Sequence, residues 1–591
     1  MCGIVGYNGK KLAIDVLLTG LKNLEYRGYD SAGVALVNDD VNIVKSVGRI
    51  KNLEDRINLE ELSKYKIGIA HTRWATHGEV NEVNAHPHRV GKITLVHNGI
   101  IENADSLREK LINKGYSFNS NTDTEVVAAL LDYNLEDNFL TTIEKTQNEI
   151  KGSYALGIIN ENEKDKLYCV KKDSPLVIGV GDKENFFASD ICAINSYTNR
   201  FIFLEEKDVA IVTSDSIEIY NNSKKKEIRI DEIITDIESK SKNGYSHYML
   251  KEINEQPVVL EKTLNKYLDN LDLIPDISTY EVIHIVACGS AMYAGMVAKY
   301  LFEEKANKQV IVEVASEYRY RNINYDRKTL VILISQSGET ADTIAAMRFA
   351  KENNATTLAI VNVKTSTIAR EADIALFIEA GEEIAVATTK AYLLQVALLS
   401  LLALKLSKDE GLIEDINECL KEFKLLPKLV KDVIDKEESY KNIAKEIYEK
   451  DNSFFIGRKI DYSYCLEGSL KLKEVSYIHS EAYQAGELKH GTISLINEGM
   501  PVFGILTDKD IYDKTLSNVK EVSSRGAKTI IITTNSLKTN NDLEICVPDL
   551  SMFTQGLVVV PVLQLIAFHT ALLRGCDIDK PKNLAKSVTV E

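Results

Sequence analysis

The second residue of the chain is a cysteine, and its position gives its thiol a specific chemistry. Removal of Met1, which the small Cys2 side chain favours, leaves Cys2 with both a thiol and a free α-amine. An α-amine titrates at about 7.7 to 8.0, so it can accept the thiol proton near neutral pH, directly or through water. Cys2 is therefore a candidate nucleophile that carries its own base. Considered alone, it is equally compatible with an incidental small residue at the start of a strand.

Five further segments accompany this cysteine in the first quarter of the chain. They are 26–33 (Tyr-Arg-Gly-Tyr-Asp-Ser-Ala-Gly), 71–78 (His-Thr-Arg-Trp-Ala-Thr-His-Gly), 84–88 (Asn-Ala-His-Pro-His), 97–100 (His-Asn-Gly-Ile) and 122–125 (Thr-Asp-Thr-Glu). In this order they resemble the glutaminase domain of the N-terminal-nucleophile (Ntn) glutamine amidotransferases. The resemblance implies an Ntn hydrolase-like αββα sandwich in which Cys2 hydrolyses glutamine and releases ammonia.

The chemistry of amide attack assigns roles to residues in these segments. Attack on the glutamine amide creates an oxyanion, and the Asn98 side chain with the Gly99 backbone N–H can supply the fixed donors that it needs. A planar cation suits the α-carboxylate of glutamine, and a carboxylate suits its α-ammonium group. The resemblance implies four glutamine-binding residues: Arg73, Thr76, His77 and Asp123.

The only tryptophan and half of the histidines also lie in this region. The resemblance implies that Trp74 gates the passage of ammonia, although plain packing explains a single tryptophan equally well. Five of the ten histidines are found here: His71, His77, His86, His88 and His97. No carboxylate or cysteine is interleaved at ligand spacing, so we expect structural hydrogen bonding and no metal.

A hydroxyl-rich turn follows a buried apolar run in the middle of the chain. Residues 330–335 are apolar and end in serine, and 336–340 read Gln-Ser-Gly-Glu-Thr. Such a turn binds phosphate through backbone N–H groups, a helix N-terminus and hydroxyls, without Lys or Arg. By itself a Ser-Gly turn is more often only a helix cap. A similar loop, 288–290 (Cys-Gly-Ser), closes the preceding strand, and together these features resemble a sugar isomerase (SIS) domain, present twice.

Three segments near the C-terminus narrow the resemblance. They are 467–474 (Glu-Gly-Ser-Leu-Lys-Leu-Lys-Glu), 486–491 (Gly-Glu-Leu-Lys-His-Gly) and 581–591 (Pro-Lys-Asn-Leu-Ala-Lys-Ser-Val-Thr-Val-Glu). With the glutaminase segments they resemble the glutamine:fructose-6-phosphate aminotransferases (isomerising), a resemblance that covers essentially the whole chain. It implies that ammonia passes internally to fructose 6-phosphate and gives glucosamine 6-phosphate, without a cofactor. It also implies a homodimer in which His490 reaches into the partner's site.

The resemblance also assigns roles in the sugar half. His490 opens the sugar ring, Lys586 lies by the C2 carbonyl or forms an imine with it, and Glu474 moves the proton between C1 and C2, for which burial must raise its pKa. The implied sugar-phosphate-binding residues are Ser290, Ser335, Gln336, Ser337, Thr340, Val386, Lys471 and Ala585. Without the resemblance, the charges at 471–474 are equally a solvated helix face and the C-terminal residues a frayed tail.

One position departs from the family pattern. Members often read Cys-Gly-Thr-Ser in the first loop, whereas this chain reads Cys-Gly-Ser-Ala at 288–291. One hydroxyl is therefore missing, and only the backbone of Ala291 is left to contact a ligand there.

The elements that must position these residues differ between the two halves. Up to about residue 220, short apolar runs such as 31–37, 66–70, 93–97, 153–159 and 201–204 predict mostly antiparallel sheets, with helices at 13–24, 105–114 and 123–133. Beyond a polar junction at 205–251, apolar runs alternate with helical patterns, which predicts parallel sheets with crossover helices.

The second half carries an internal duplication. Apolar runs at 283–287, 330–335, 357–363 and 372–378 are followed, after a helical stretch at 412–448, by runs at 453–457, 500–506, 529–534 and 543–547. We expect two doubly wound α/β SIS domains with the ligand at the C-terminal ends of their strands, between the copies. The expected divisions are a glutaminase domain at 2–220, a linker at 221–250, SIS domains at 251–425 and 426–575, and a tail at 576–591 that closes the sugar site.

Composition excludes several classes of protein. With 591 residues, 45% of them hydrophobic, the chain supports more than one globular core. A net charge of −16 argues against nucleic acid and anionic membranes as partners. The eight cysteines form no CxxC pair, and no signal peptide is evident, which favours a reducing cytoplasm. Residues 556–573 have the length of a membrane span but contain Pro, Gln and His, and with no second such segment we expect a buried helix.

Two other functions fit parts of the pattern. The duplicated half is also found as a non-catalytic phosphosugar sensor, but no DNA-reading module is evident and Glu474, His490 and Lys586 favour an enzyme. A glutaminase can also serve another acceptor, including a different phosphoketose. The Ser-Gly-Gly-x-Asp-Ser loop of asparagine synthetases and a phosphoribosyl-diphosphate loop are both lacking in the sequence.

Overall fold

The computed structural model describes residues 2–25, 27–74, 78–233, 242–325, 328–413 and 415–589. The chain divides into two compact units, Met1–Ile237 with Ser587–Glu591, and Glu238–Lys586. Thr76 and His77 lie outside the described residues.

The first unit contains two antiparallel sheets. The eight-stranded sheet has the order β15-β11-β9-β10-β1-β4-β2-β3 and the seven-stranded sheet the order β14-β13-β12-β8-β7-β6-β5. The strands are β1 Gly3–Gly9, β2 Ser31–Val37, β3 Val41–Val47, β4 Ile67–Arg73, β5 His88–Val90, β6 Ile93–Ile101, β7 Gly152–Asn160, β8 Leu167–Lys172, β9 Val177–Val180, β10 Glu184–Ala188, β11 Arg200–Phe203, β12 Val209–Val212, β13 Ile217–Asn221, β14 Lys224–Lys225 and β15 Asp231–Glu232.

Helices cover the outer faces of these sheets. They are α1 Ala13–Leu24, α2 Ile50–Glu54, α3 Leu59–Leu62, α4 Ala104–Ile112, α5 Asp123–Tyr133 and α6 Phe139–Glu149. Apolar residues of both sheets, such as Ile69 and Val96, form one buried cluster between them. Separate clusters join α1 to the eight-stranded sheet and α5 to the seven-stranded sheet. The predicted αββα sandwich is confirmed.

The second unit contains two parallel five-stranded sheets with the same strand order. One has the order β17-β16-β18-β19-β20 and the other β22-β21-β23-β24-β25. The strands are β16 Val282–Ala287, β17 Gln309–Val314, β18 Thr329–Ser335, β19 Thr356–Val361, β20 Ile374–Phe377, β21 Asn452–Gly457, β22 His479–Gln484, β23 Pro501–Leu506, β24 Lys528–Thr534 and β25 Glu544–Val547. The predicted pair of doubly wound α/β domains is confirmed. The edge strands β17 and β22 were not predicted, because only one side of each pairs and their side chains are only partly buried.

Eleven α-helices of this unit lie within the described residues. They are α7 Tyr248–Leu268, α8 Gly289–Ala306, α9 Ala315–Tyr318, α10 Ala341–Glu352, α11 Thr367–Glu371, α12 Lys390–Asp409, α13 Asn417–Ile434, α14 Glu437–Ile447, α15 Ile460–Ser476, α16 Tyr512–Ser523 and α17 Gln555–Leu573. One hydrophobic cluster contains residues of both sheets and of α7, α8, α12, α15 and α17. The two copies therefore share a core.

Two of these helices are long and apolar enough to cross a membrane by length and composition alone. In α17, which the sequence predicted to be a buried helix, 89% of the apolar window is buried inside the protein. The expectation that no second such segment exists was wrong, because α12 meets the same criteria, with 94% of its window buried.

Candidate active sites

The thiol of Cys2 lies against the end of strand β4. Residue 3 of β1 pairs with Thr72 of β4, which brings Trp74 beside Cys2. The Trp74 backbone N–H donates to Cys2 Sγ at 3.4 Å, and Sγ lies 3.5 Å from the Trp74 carbonyl oxygen. Burial raises the pKa of the Cys2 thiol, while the hydrogen bond with Trp74 and the charge of Arg73 oppose this rise. The thiol therefore needs a base to form thiolate at neutral pH.

Asn98 on β6 contacts the Cys2 backbone, and Gly99 follows it in the same strand. The Asn98 side-chain Nδ2 donates to the Cys2 carbonyl oxygen at 3.0 Å. Gly99 has φ +130°, and a Cβ at this position would lie 2.0 Å from the Ser153 carbonyl oxygen. Only glycine fits there. The fold thus brings an amide donor and a position that requires glycine to the backbone of the candidate nucleophile.

Arg73 and Asp123 also surround Cys2. Arg73 is buried at the end of β4, with its guanidinium 3.4 Å from the carbonyl oxygens of Gly78 and Glu79. Asp123 begins α5, and its Oδ2 accepts the Ile101 backbone N–H at 2.9 Å. Both charges act electrostatically on the Cys2 thiol. Arg73 can therefore bind the α-carboxylate of an amino acid, and Asp123 can bind its α-ammonium group.

Thr122 Oγ1 accepts the Glu125 backbone N–H at 3.3 Å and so caps α5, the helix that the sequence predicted at 123–133. Trp74 is half-buried in this structure.

Three of the buried histidines of this unit, His71, His88 and His97, make side-chain hydrogen bonds. His97 Nδ1 bonds with Thr124 Oγ1 and His88 Nε2 with Thr122 Oγ1, both at 3.1 Å. Burial lowers the pKa of His71 to about 3 and those of His86 and His88 well below the ordinary value. Within the described ranges there is no group of three or more His, Cys, Asp or Glu side chains arranged to hold a metal ion.

In the second unit, the hydroxyl-rich turn lies between β18 and α10. The Ser335 hydroxyl accepts the Gly338 backbone N–H at 3.0 Å and lies 2.9 Å from Thr340 Oγ1, while Ser337 Oγ accepts the Glu339 N–H at 3.2 Å. Gly338 has φ +66°, and a Cβ there would lie 2.0 Å from the Ser366 hydroxyl. This compact turn at the start of a helix has the form of an anion-binding loop.

Three charged residues on α15 form a buried network. Lys471 Nζ lies 2.5 Å from Glu474 Oε2 and 3.6 Å from Glu467 Oε1. The side chains of Lys471 and Glu467 are fully buried, and that of Glu474 is 20% exposed. Burial and the nearby Glu474 raise the pKa of Glu467 to about 7, against the opposing charge of Lys471. Lys471 and Glu474 therefore do not form the solvated helix face that the sequence alone also allowed.

The C-terminal Lys586 forms a second buried ion pair. Its Nζ lies 2.5 Å from Glu383 Oε2, and the two side chains are 4% and 0% exposed. Glu383 Oε1 also accepts the backbone N–H groups of Thr389 and Ala391 at 3.0 Å, which cap α12. Burial raises the pKa of Glu383, but Lys586 and these donors outweigh it and lower the value to about 2.

A further carboxyl group lies beside this pair. Glu252 Oε1 accepts the backbone N–H groups of Ile384 and Ala385 at 2.5 and 3.1 Å. Burial, reinforced by the charge of Glu383, raises the pKa of Glu252 to about 8. Val386 follows in the same loop and donates its N–H to the Asp579 carbonyl oxygen at 3.0 Å.

Sequence reasoning missed Glu252, Glu383 and Glu467. A signal for Glu383 was available, since an acidic residue precedes the Thr-Thr-Lys start of an apolar helix.

His490 and Ala585 make the fewest contacts that tie them to the other expected sugar-site residues. His490 is exposed on the short helical turn Glu487–His490. Within the part of the chain that the structure describes, no hydrogen bond or ion pair joins it to Glu474 or Lys586. Ala585 is partly buried beside Lys586.

The second copy differs from the first at the loop that corresponds to the hydroxyl-rich turn. Here Thr507 and Asp508 follow β23, and their backbone N–H groups donate to Asp461 Oδ2 at 2.8 and 3.2 Å. The Thr507 hydroxyl donates to Asp461 Oδ1 at 2.5 Å. A carboxylate of the chain itself therefore occupies the backbone donors of this loop.

Comparison with known proteins matches both units. A glutamine amidotransferase domain model matches residues 73–196, and a SIS domain model matches residues 277–405 and 446–574. The C-terminal domain of glucosamine-fructose-6-phosphate aminotransferase from Francisella tularensis, at 37% identity, aligns with 58% of this chain and 100% of its own, with a TM-score of 0.55. These matches define a glutamine amidotransferase with a duplicated sugar isomerase half.

Full-length relatives identify the family. Glutamine–fructose-6-phosphate aminotransferase (isomerizing) from Clostridium acetobutylicum is 46% identical over 609 residues, and that from Thermococcus kodakarensis is 45% identical over 603 residues, with 100% of both chains covered in each case. The chain belongs to the glutamine–fructose-6-phosphate aminotransferase (isomerizing) family.

Proposed function

We propose that the chain transfers the amide nitrogen of glutamine to fructose 6-phosphate and isomerises the product to glucosamine 6-phosphate. The observation that carries the proposal is the contact between Asn98 Nδ2 and the Cys2 backbone, 96 positions apart, in a chain whose full-length relatives carry this activity in their names. Neither a sensor nor another acceptor explains both that contact and the full-length family match.

In the first unit, the Cys2 α-amine accepts the thiol proton and the thiolate attacks the glutamine side-chain carbonyl carbon. Asn98 Nδ2 and the Gly99 N–H stabilise the oxyanion, while Arg73 and Asp123 hold the two charged ends of the substrate. We assign Thr76 and His77 to the same pocket and a gating role to Trp74. The Cys2 α-ammonium group gives its proton to the amide nitrogen, the C–N bond breaks and ammonia leaves, and water then hydrolyses the thioester to release glutamate.

In the second unit, ammonia replaces the C2 carbonyl oxygen of the open-chain sugar, and water leaves. Removal of a proton from C1 gives an enaminol, and return of a proton to C2 gives the aminoaldose. Glu474 suits both transfers because its carboxylate is paired with Lys471 and partly accessible. We assign Lys586, whose Nζ pairs with Glu383, to a position by C2, as a cation or as an imine-forming amine. Its burial supports the view that residues 576–591 close the sugar site.

The sugar phosphate is assigned to the turn after β18. Ser335, Gln336, Ser337 and Thr340 supply hydroxyl, amide and backbone donors at the start of α10. The remaining contacts are assigned to Ser290, Val386, Lys471 and Ala585.

The test is direct. The protein with Met1 removed should form glucosamine 6-phosphate and glutamate from glutamine and fructose 6-phosphate. Cys2→Ala should abolish the reaction with glutamine and leave a reaction with high ammonia. A processed, folded protein that makes no glucosamine 6-phosphate refutes the function, and glutamine-driven turnover in Cys2→Ala refutes the nucleophile assignment.

We further propose a homodimer in which His490 serves the sugar site of the partner. Its exposure in the single chain supports this arrangement. Mixing His490→Ala with Lys586→Ala subunits should restore about a quarter of the wild-type activity, because half of the random dimers then hold one complete site. No recovery after subunit exchange would place His490 in its own chain's site.

A further inference from the structure

The amide of Asn98 has to be oriented before it can donate to an oxyanion. Its Nδ2 lies 3.0 Å from the Cys2 carbonyl oxygen, and its Oδ1 lies 3.1 Å from His71 Nε2. An amide turned by 180° would present an acceptor to the reaction centre in place of a donor. Some neighbouring group must therefore decide between the two orientations.

His71 is the group in contact with the other end of this amide. It lies on β4 of the eight-stranded sheet, is fully buried, and reaches β6 of the seven-stranded sheet. Its Nε2 lies 3.0 Å from the His97 backbone carbonyl oxygen as well as 3.1 Å from Asn98 Oδ1. A backbone carbonyl only accepts hydrogen bonds, so His71 Nε2 must carry the hydrogen.

This tautomer settles the orientation of Asn98. With Nε2 as a donor, the Asn98 atom that faces it must be the acceptor Oδ1, because two facing donors would repel. Nδ2 is then directed at Cys2. The His97 carbonyl group therefore sets the tautomer of His71, and His71 in turn sets the amide.

The state of the imidazole agrees with this geometry. Burial lowers the pKa of His71 to about 3, so the ring is neutral and carries one hydrogen. Its Nδ1 is buried and has no hydrogen-bond partner among the described residues, as suits a nitrogen without a hydrogen. The ring packs on that of His86, with 4.2 Å between the ring centroids.

We propose that His71 is a positioning residue of the glutaminase site, which holds Asn98 with its Nδ2 directed at the oxyanion. The inference rests on the proposed oxyanion role of Asn98. His71 acts through Asn98 and does not contact glutamine. Removal of one oxyanion donor lowers kcat by about 10²–10³-fold, and loss of its orientation should cost part of this, about 10–100-fold.

The experiment compares three replacements of His71 in the full chain. His71→Gln places an amide NH₂ near the position of Nε2 and preserves both donations, whereas His71→Leu and the shorter His71→Asn do not. Glutamine hydrolysis is measured as kcat and KM, and ammonia-driven glucosamine 6-phosphate formation reports the second unit. We expect kcat to fall about 10–100-fold in the Leu and Asn variants, with KM within about threefold, and to stay within about fivefold of wild type in His71→Gln.

The variant Asn98→Ala tests the oxyanion role of Asn98 separately from the positioning role of His71. An unchanged kcat in Asn98→Ala overturns the oxyanion role itself. A lowered kcat in Asn98→Ala with normal His71→Asn and His71→Leu enzymes overturns only the role of His71. If His71→Leu fails to fold, the Asn and Gln variants decide, and equal loss in both overturns the proposal.

Discussion

Glu383→Gln should release Lys586 from its buried ion pair and so lower the activity of the sugar site. In the wild type, one carboxylate oxygen of Glu383 accepts the Thr389 and Ala391 N–H groups and the other accepts Lys586 Nζ. In the variant, the amide oxygen must face the N–H groups of Thr389 and Ala391, because these donors at the start of α12 need an acceptor. The amide NH₂ then faces the ammonium group of Lys586, so two donors meet in a buried site.

The magnitude follows from burial. Removing one partner of a buried ion pair costs about 3–5 kcal/mol. Lys586 lies close to the C-terminus, and a terminal segment opens at a lower free energy than the global unfolding. We therefore expect the cost to appear as departure of Lys586 from its site. A cost of 3 kcal/mol lowers the closed population by about 10²-fold relative to the open one.

Two assays measure this effect. Ammonia-driven glucosamine 6-phosphate formation, which does not depend on the glutaminase site, should fall by up to about 10²-fold in Glu383→Gln, the full factor applying when the open state predominates. Cleavage by trypsin after Lys586 should become faster. Glu382→Gln is the matched control, because Glu382 is the exposed neighbour in sequence, and it should leave both measurements unchanged.

A double variant tests the physical cause. In Glu383→Gln/Lys586→Met no buried charge remains unpaired, so the C-terminal segment should regain resistance to protease digestion at other sites while the enzyme stays inactive. If Glu383→Gln keeps full ammonia-driven activity and wild-type resistance to trypsin, the pair does not hold Lys586 in place and the reasoning is refuted.

Three further predictions follow from single positions. Gly99→Ala should lower glutamine hydrolysis by at least about 10²-fold without affecting the ammonia reaction, whereas Gly115→Ala, with φ +95° but open space around it, should not; equal activity of the two variants contradicts the steric argument. Glu467 holds its proton up to about pH 7 when folded and to about 4.3 when unfolded, so the folded state binds more protons in this range. The free energy of unfolding should therefore fall as pH rises from about 4 to 7, and Glu467→Gln should flatten this slope in urea titrations; an unchanged slope argues against the raised pKa. Asp461→Ala should lower the free energy of unfolding by about 1–3 kcal/mol, because it leaves the partly buried backbone donors of Thr507 and Asp508 without their acceptor, and a loss below about 0.5 kcal/mol would mean that water replaces the carboxyl group.

Local patterns in the sequence predicted most of the fold. The strand Ser31–Val37 and the helices Ala13–Leu24 and Asp123–Tyr133 have the predicted bounds, because periodicity and capping residues act over a few positions. The sequence also distinguished the two halves. Few helical patterns separate the apolar runs of the antiparallel half, whereas such patterns alternate with the apolar runs of the parallel half. The edge strands β17 and β22 escaped because their side chains are mixed and only partly buried.

The motifs named candidate groups, but only the tertiary structure decided their surroundings. From the sequence, Cys2 was a nucleophile with its own base, while its contact with Asn98 depends on the pairing of strands far apart in the chain. The carboxyl groups of Glu252 and Glu467 carried no local signal, and the signal for Glu383 indicated only a helix start, because the burial that shifts their pKa values comes from tertiary packing.

The physical reason is the range of the forces involved. Backbone preference and side-chain periodicity are properties of neighbouring residues, so the sequence by itself determined the elements and the chemical types available at each position. Desolvation and ion pairing depend on which residues are brought together across hundreds of positions, as for Lys586 and Glu383. The tertiary structure alone therefore decided which charges are buried and paired, and which end of the Asn98 amide faces the Cys2 backbone.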